Sequence, residues 1–300
     1  MVYTEIQVKN GKKYYYRVIS VRNGAKVSKK RKYLGKELEG EELAIKEKEA
    51  DRDLGVLNAL LTEEEIKELE ELKKQYADQP DLNYENRYEA FTSRFTHDST
   101  AIEGNTLSLQ ETASLLFEDL VPGNKSMREI NEVRNHKKAF DLLLDYKGDI
   151  TKELICHLHL LVMHEAHEPG LEEEMGRYRT LRVYITGVEW IPPPPSQVPK
   201  EMKELLTWYS KNKKKLHPVV LATYLHIGFE TIHPFVDGNG SVGRLLMNFI
   251  LHRNDYPMVN ILYKRRFDYY DALKTGQIEG DLRPFLELLI GYMKESDLMF

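Results

Sequence analysis

One cysteine, Cys156, is all that 300 residues offer. That excludes an internal disulfide and a metal cluster held by several thiolates. No run approaches the ~18 apolar residues of a membrane-spanning helix, and no leader of the secretory kind opens the chain. The expectation is a cytoplasmic protein with no membrane part. Internal repeats are missing, and the one biased tract is Pro192 to Pro195. The signature Gly-x-x-x-x-Gly-Lys-Ser/Thr does not occur, so a P-loop nucleotidase is not the default reading. Acids vanish locally as well: Lys9 to Lys36 holds eleven Lys or Arg and no Asp or Glu.

What is present fits a globular chain. A hydrophobic fraction of 41% supports a core, and a charged fraction of 30% suits a soluble protein. The length sets a prior of about two domains. A net charge of −5 argues against wholesale nucleic-acid binding. The charge is uneven, however, because Glu37 to Asp53 answers the basic segment with eight acids against three bases. The pattern predicts a basic ribbon lying on an acidic helix of its own chain, with a nucleic-acid arm over residues 9–36 as the rarer alternative.

KKYYYRVISV and AKVSKKRKYL flank an Asn-Gly turn and predict a β-hairpin. A helical arm rich in Glu and Lys follows, from Glu41 to Tyr76, and Gln79-Pro80 ends it. Beyond lie helical patterns at Tyr84 to Ile102, Ile130 to Tyr146, Lys152 to Glu165, Pro199 to Lys211 and Pro218 to Ile232. The cleanest stripe is Val242, Leu245, Leu246, Phe249 and Ile250. The predicted organisation is a basic β-hairpin extension (1–36), a helical arm (37–80) and a mainly α domain (81–300).

Between the last two helical patterns stands HPFVDGNGSVGR, His233 to Arg244. Glycines at Gly238 and Gly240 let backbone N–H groups approach a ligand. The start of the following helix, with free N–H groups and a positive dipole end, favours a phosphate. Asp237 could hold Mg2+ through its oxygens while phosphates complete the shell. Arg244, one turn into the helix, reaches toward a terminal phosphate. Histidine is the side chain whose unperturbed pKa lies near neutrality, so His233 is the candidate to take a proton from an attacking hydroxyl. The set points to phosphate-anhydride chemistry with a hydroxyl nucleophile. Against it stands the plainer reading of a tight turn and a capping histidine.

The stretch resembles the signature of the Fic family, HPFx(D/E)GN(G/A)(R/K)xxR. The resemblance spans roughly His97 to Ile290. It implies a mainly α, Fic-like helical core with a small β-hairpin flap, and transfer of AMP from ATP to a protein hydroxyl with Mg2+. In that reading His233 is the base and Asp237 holds the metal. Gly238, Asn239 and Gly240 bind phosphates, Ser241 and Gly243 line them, and Arg244 orients the γ-phosphate. STAIEGN resembles the family's inhibitory helix, here about 84–104, which makes Ser99, Glu103 and Gly104 inhibitory residues. Independently, Gly104 fits the position just past a helix end. Glu103 then sits in the last turn, where the dipole disfavours an anion, and it calls for a cation such as Arg244.

VYITGVEWIPPPP resembles the family's flap, about 182–195, which pairs with a target's backbone by strand addition. The implied partner is a protein, this chain itself included, and a homo-oligomer stays open. Thr186, Gly187, Val188 and Glu189 would lie by the nucleotide. Downstream, Tyr269 and Tyr270 would flank the adenine, with Gln277 near them. Ser241 departs from the family's Arg or Lys, and that removes a positive charge from the expected phosphate site.

Two further functions stay on the page. Glu103 could instead orient a water that removes AMP, and the basic hairpin could make the protein a nucleotide-sensing, nucleic-acid-bound regulator. CHLHLLVMHEAHE invites a zinc reading through His157 and His164, but it is not HExxH, and core or rim histidines are the expectation. His226 and His252 flank the motif as candidate supporting residues.

Overall fold

The computed structural model describes residues 2–9, 11–23, 26–185, 188, 190–295 and 300. The chain divides into two compact units, Met1–Leu69 and Glu70–Phe300.

In the first unit β1 (Val2–Lys9), β2 (Lys12–Asn23) and β3 (Lys26–Lys36) form an antiparallel meander with β2 at its centre. The expected β2–β3 hairpin is thus joined by an additional strand. Its signal was present in the sequence: Asn10-Gly11 repeats the turn dipeptide, and Gly11 takes the positive φ of 73° that such turns require. A bulge at Tyr15/Tyr16 lets Leu34 side with Tyr15, and both pack with Leu38 and Ala50. Ala50 belongs to α1 (Gly40–Leu54), which lies on β2 and β3. Arg17 donates to both oxygens of Asp51 on that helix, at 2.7 and 2.9 Å.

The arm expected from Glu41 to Tyr76 is not one helix. Gly55, at φ 66°, breaks the right-handed run. A 3-10 turn follows, and α2 (Glu63–Ala77) starts from a reciprocal Thr62–Glu65 cap.

The second unit is helical. Its elements are α3 (Tyr84–Ile102), α4 (Leu109–Phe117), α5 (Met127–Asp145), α6 (Lys152–Met163), α7 (Val198–Asn212), α8 (Pro218–Ile232), α9 (Asn239–His252), α10 (Arg266–Ile278) and α11 (Arg283–Glu295). Capping boxes at Ser108 and Ser126 start α4 and α5, and Pro218 occupies the first position of α8. Helices α8 and α9 pack on each other at the centre, α8 also against α7, α10 and α11, and α9 also against α3, α5 and α6. The stripe on α9 is buried as expected, but Met247, Asn248 and Leu251 on its other faces are buried too. An apolar helix surrounded on all sides has no solvent face to show.

Residues 182–195 were expected to form a hairpin. The described residues among them form no strand, and the prolines Pro192 to Pro195 cannot donate to a ladder. Thr186, Gly187 and Glu189 lie outside the described residues. Among the described residues no helix is long and apolar enough to cross a membrane.

Candidate active site

The segment between α8 and α9 is held from four directions. His233 adopts a left-handed φ of 50°, uncommon for any residue but glycine. Its N–H donates to Phe229 O at 2.8 Å, and its carbonyl accepts from Arg179 Nε at 2.8 Å. Arg179, 2% exposed, also donates to the carbonyls of Leu181 and Pro193, so one guanidinium ties the residue before the 182–195 segment and a residue near its end to the loop that carries His233. The flap is pinned again by Trp190, which donates to Thr231 O. From below, His159 stacks on Phe235 with centroids 3.8 Å apart. Gly176 N–H donates to His159 Nδ1 at 3.0 Å, which assigns the proton to Nε2, and Nε2 donates to Asp237 O at 3.2 Å. Burial pushes His159 down to about 4, so the ring stays neutral near pH 7.

Asn239 was expected to bind phosphate. Its side chain is 1% exposed and braces the loop instead: Oδ1 accepts from Phe235 N and Nδ2 donates to Phe235 O. Its backbone N–H is left to face a ligand. That N–H and those of Gly240 and Ser241 precede the first intrahelical bond of α9, from Val242 N to Gly238 O. They form an amide cradle at a helix N-terminus, with Gly238 at φ 71° making the turn. Asp237 stands beside it, half-exposed, accepting from Gly238 N at 2.7 Å and lying 3.5 Å from Arg128.

Arg244 is 1% exposed, and Glu103 receives it. The guanidinium donates to Glu103 Oε1 at 2.5 Å, to Ser99 O at 2.8 Å and to Ser99 Oγ at 2.9 Å. Gly104 takes φ 104° just past α3 and aims the last turn at α9. The pair lies against the cradle: a Cβ at Gly240 would stand 2.7 Å from Glu103 Oε1 and 2.8 Å from Arg244 Nη1. Although the Glu103 side chain keeps 29% of its surface open, the packing round its carboxyl removes water and pushes it up from the ordinary carboxylate range, against the pull of Arg244. Ser241 was expected to face phosphates. Its hydroxyl donates to Glu103 Oε1 at 3.0 Å, because in this arrangement the nearest acceptor is the carboxylate itself.

Behind the histidine lies a group the sequence reading missed. Glu230, 7% exposed on α8, places Oε2 3.7 Å from His233 Nδ1. Burial works to raise its pKa, but His233, His226 and Arg244 outweigh it and hold the carboxyl below its ordinary value. Gly243 is needed here, since a Cβ would meet Glu230 Oε1 at 2.5 Å. The only sequence signal was the spacing of an acid three residues before His233, and an acid inside an apolar helix demands a partner.

Tyr269 was expected at the adenine. It is 2% exposed, with its hydroxyl 2.9 Å from His226 Nε2, so it is part of the wall and offers no open face. Tyr270 is 38% exposed and donates to Ile102 O at 3.2 Å, beside Glu103. Gln277 is half-buried two turns further along α10, and Val188 is exposed. His157 and His164 are exposed on α6 and at its end, and among the described residues no group of three His, Cys, Asp or Glu could hold a metal.

The Fic/DOC family profile matches residues 149–251. A protein adenylyltransferase Fic of Nematostella vectensis is 36% identical over 206 residues, covering 67% of this chain and 46% of its own length. The chain therefore spans under half of that relative. A Fic family protein from Desulfovibrio desulfuricans is 31% identical with a TM-score of 0.65, covering 78% of this chain and 73% of that one. A Fic-domain signalling protein from Bacteroides thetaiotaomicron gives a TM-score of 0.69 at 28% identity, over 76% of this chain and 93% of that one.

Proposed function

Because this chain belongs to the Fic family, we propose that it transfers AMP from ATP to a Ser, Thr or Tyr hydroxyl of a protein, itself included, and that Glu103 restrains the reaction. The observation that carries this reading is the Glu103–Arg244 pair lying against the amides of Gly240 and its neighbours, with His233 at the other edge of the same loop. In the reaction the hydroxyl oxygen forms a bond to the α-phosphorus, the bond from that phosphorus to the bridging oxygen breaks, and pyrophosphate leaves. His233 takes the hydroxyl proton, with Glu230 Oε2 3.7 Å from its Nδ1 behind the ring. The amides of Asn239, Gly240 and Ser241 hold the phosphate oxygens by preorganised donors. Arg244, once released from Glu103, orients the terminal phosphate.

Asp237 fits a Mg2+ that arrives with the nucleotide, since this ion takes one or two carboxylates and completes its shell with phosphates and water. Bound there, the ion would neutralise charge on the departing pyrophosphate. The flap, anchored by Arg179 and Trp190, supports pairing with a target backbone.

Intact mass after incubation with ATP and Mg2+ tests the proposal. AMP adducts should be scarce on the wild-type chain, abundant on Glu103→Gly and absent from Glu103→Gly with His233→Ala. A second reading, removal of AMP, draws on the Glu103 carboxylate standing against the amides at Gly240, a group placed to orient water there. Under that reading Glu103→Gly loses the hydrolysis of an AMP-modified protein and forms no adduct.

A further inference from the structure

The first unit carries a face that AMP transfer does not use. Alternation along the three strands sorts the side chains of the sheet onto two sides. One side holds Tyr15 and Leu34 against α1, and Arg17 reaches the acidic helix from there. The acidic helix thus covers that side only. On the opposite side the register aligns Tyr16 with Tyr33, Tyr14 with Lys36, and Tyr16 with Glu5 across the other pair of strands. The rings form a contiguous surface, with Tyr33 5.2 Å from Tyr16 and 6.5 Å from Tyr14. Tyr33 is 50% exposed, and Tyr3, Tyr14 and Tyr16 are half-buried.

Cations frame these rings. Lys36 stands 6.0 Å over Tyr14, Lys29 lies 5.9 Å over Tyr3, and Arg31 pairs with Glu5 at 2.7 Å. Lys29, Arg31 and Lys36 are all exposed. The single acid of this face among the residues named, Glu5, is already taken by Arg31. The face therefore offers flat aromatic rings at sheet spacing with an uncompensated positive rim, inside a chain of net charge −5.

We propose that the tyrosine face of the β1–β2–β3 sheet is a binding site for single-stranded nucleic acid. Bases have planar faces that stack on aromatic side chains whatever their identity, and phosphates are drawn to the rim. A duplex hides its base faces in its own stack and can use only the rim. An acidic polypeptide satisfies the rim but leaves the rings unused. The combination of rings and cations selects the single strand, as in other sheet-based readers of unpaired bases.

The test is fluorescence anisotropy of the full chain with a labelled twelve-nucleotide oligo-dT and its oligo-U counterpart. Binding should be measurable at 50 mM salt. With about two phosphates neutralised by Lys29 and Lys36, the dissociation constant should rise roughly seven-fold on going to 200 mM salt, from a slope of about −0.7 per phosphate. Tyr33→Ala should weaken binding about tenfold, through loss of one stacked base. Lys29→Glu with Lys36→Glu should abolish it at the same far-UV circular dichroism. Should Tyr33→Ala disturb the sheet, this exposed charge pair still decides. No binding up to 100-fold molar excess of protein at 50 mM salt overturns the proposal. So does equal competition by a duplex of the same length or by poly-glutamate, or an affinity indifferent to Tyr33→Ala.

Discussion

At the scale of single residues, the site turns on one serine. Ser241 occupies the position where the resemblance led us to expect a cation for phosphate. Its hydroxyl instead joins Arg244 as a donor to the Glu103 carboxylate. Hydrogen bonds to charged groups contribute about 1.5–3 kcal/mol. Losing this one should weaken the hold on Glu103 by a factor of about ten or more. Ser241→Ala is therefore expected to bind ATP more tightly than the wild-type chain, measured by isothermal titration calorimetry, and to approach but not match Glu103→Gly. If its ATP affinity falls instead, the hydroxyl serves the phosphates and not the brake. Asn239 divides its roles: its side chain is taken by the backbone of Phe235, and its main-chain N–H is the part left to face a ligand.

At the scale of elements, the restraint proposed for Glu103 depends on where α3 ends. Glu129, at the start of α5, sets that position from outside. Its carboxylate accepts from Ser126 N and Oγ and from Thr106 N and Oγ, just beyond Gly104. The Thr106 hydroxyl, followed by the Ser126 backbone and hydroxyl, pulls Glu129 from 4.5 to about 2. A depressed carboxylate stabilises the fold above its unfolded pKa, and the contribution is lost as pH falls through the folded value. Thermal unfolding between pH 4.5 and 2 should therefore lose stability in part through this group. Glu129→Gln should show a shallower decline over that window and a lower melting temperature at pH 7. An unchanged slope would remove Glu129 from the account.

The helices and His233 to Arg244 were legible in the sequence, because capping, periodicity and the loop's composition are local. The partners of that loop were not. Arg179 reaches His233 from a segment whose approach only tertiary packing decides, Ser99 meets Arg244 across 145 residues of chain, and Glu230, though only three residues before His233, gave no sign in the sequence of which group it faces. The break at Gly55 and the turn at Gly11 were readable in principle, since both are glycines taking positive φ.

At the scale of the whole molecule, two compact units of very different size share one chain. The first has a core cluster of Tyr15, Leu34, Leu38 and Ala50, whereas the second is built around two helices enclosed on all sides. Small units bury a smaller share of their surface and are correspondingly less stable. Amides of β2 should then exchange with deuterium well before those of α8 and α9, as read by peptide-resolved mass spectrometry. Equal protection in both would mean that the units open as a single cooperative body. Sequence composition marked the contrast between a basic strand region and a helical remainder, but not the boundary, which falls between Leu69 and Glu70 inside α2.

The contact between Glu103 and Arg244 lies wholly within one polypeptide. A tethered inhibitor is present at a fixed effective concentration, and dilution cannot release it. On the proposed reading, the switch would be blind to how much of the protein a cell holds and sensitive to whatever competes for Arg244. If the closed form outnumbers the open by about a hundred to one, apparent nucleotide affinity falls by about the same factor. Activity would then follow the level of free ATP, or of a partner that draws α3 away, and the protein would act as a gauge of its own substrate.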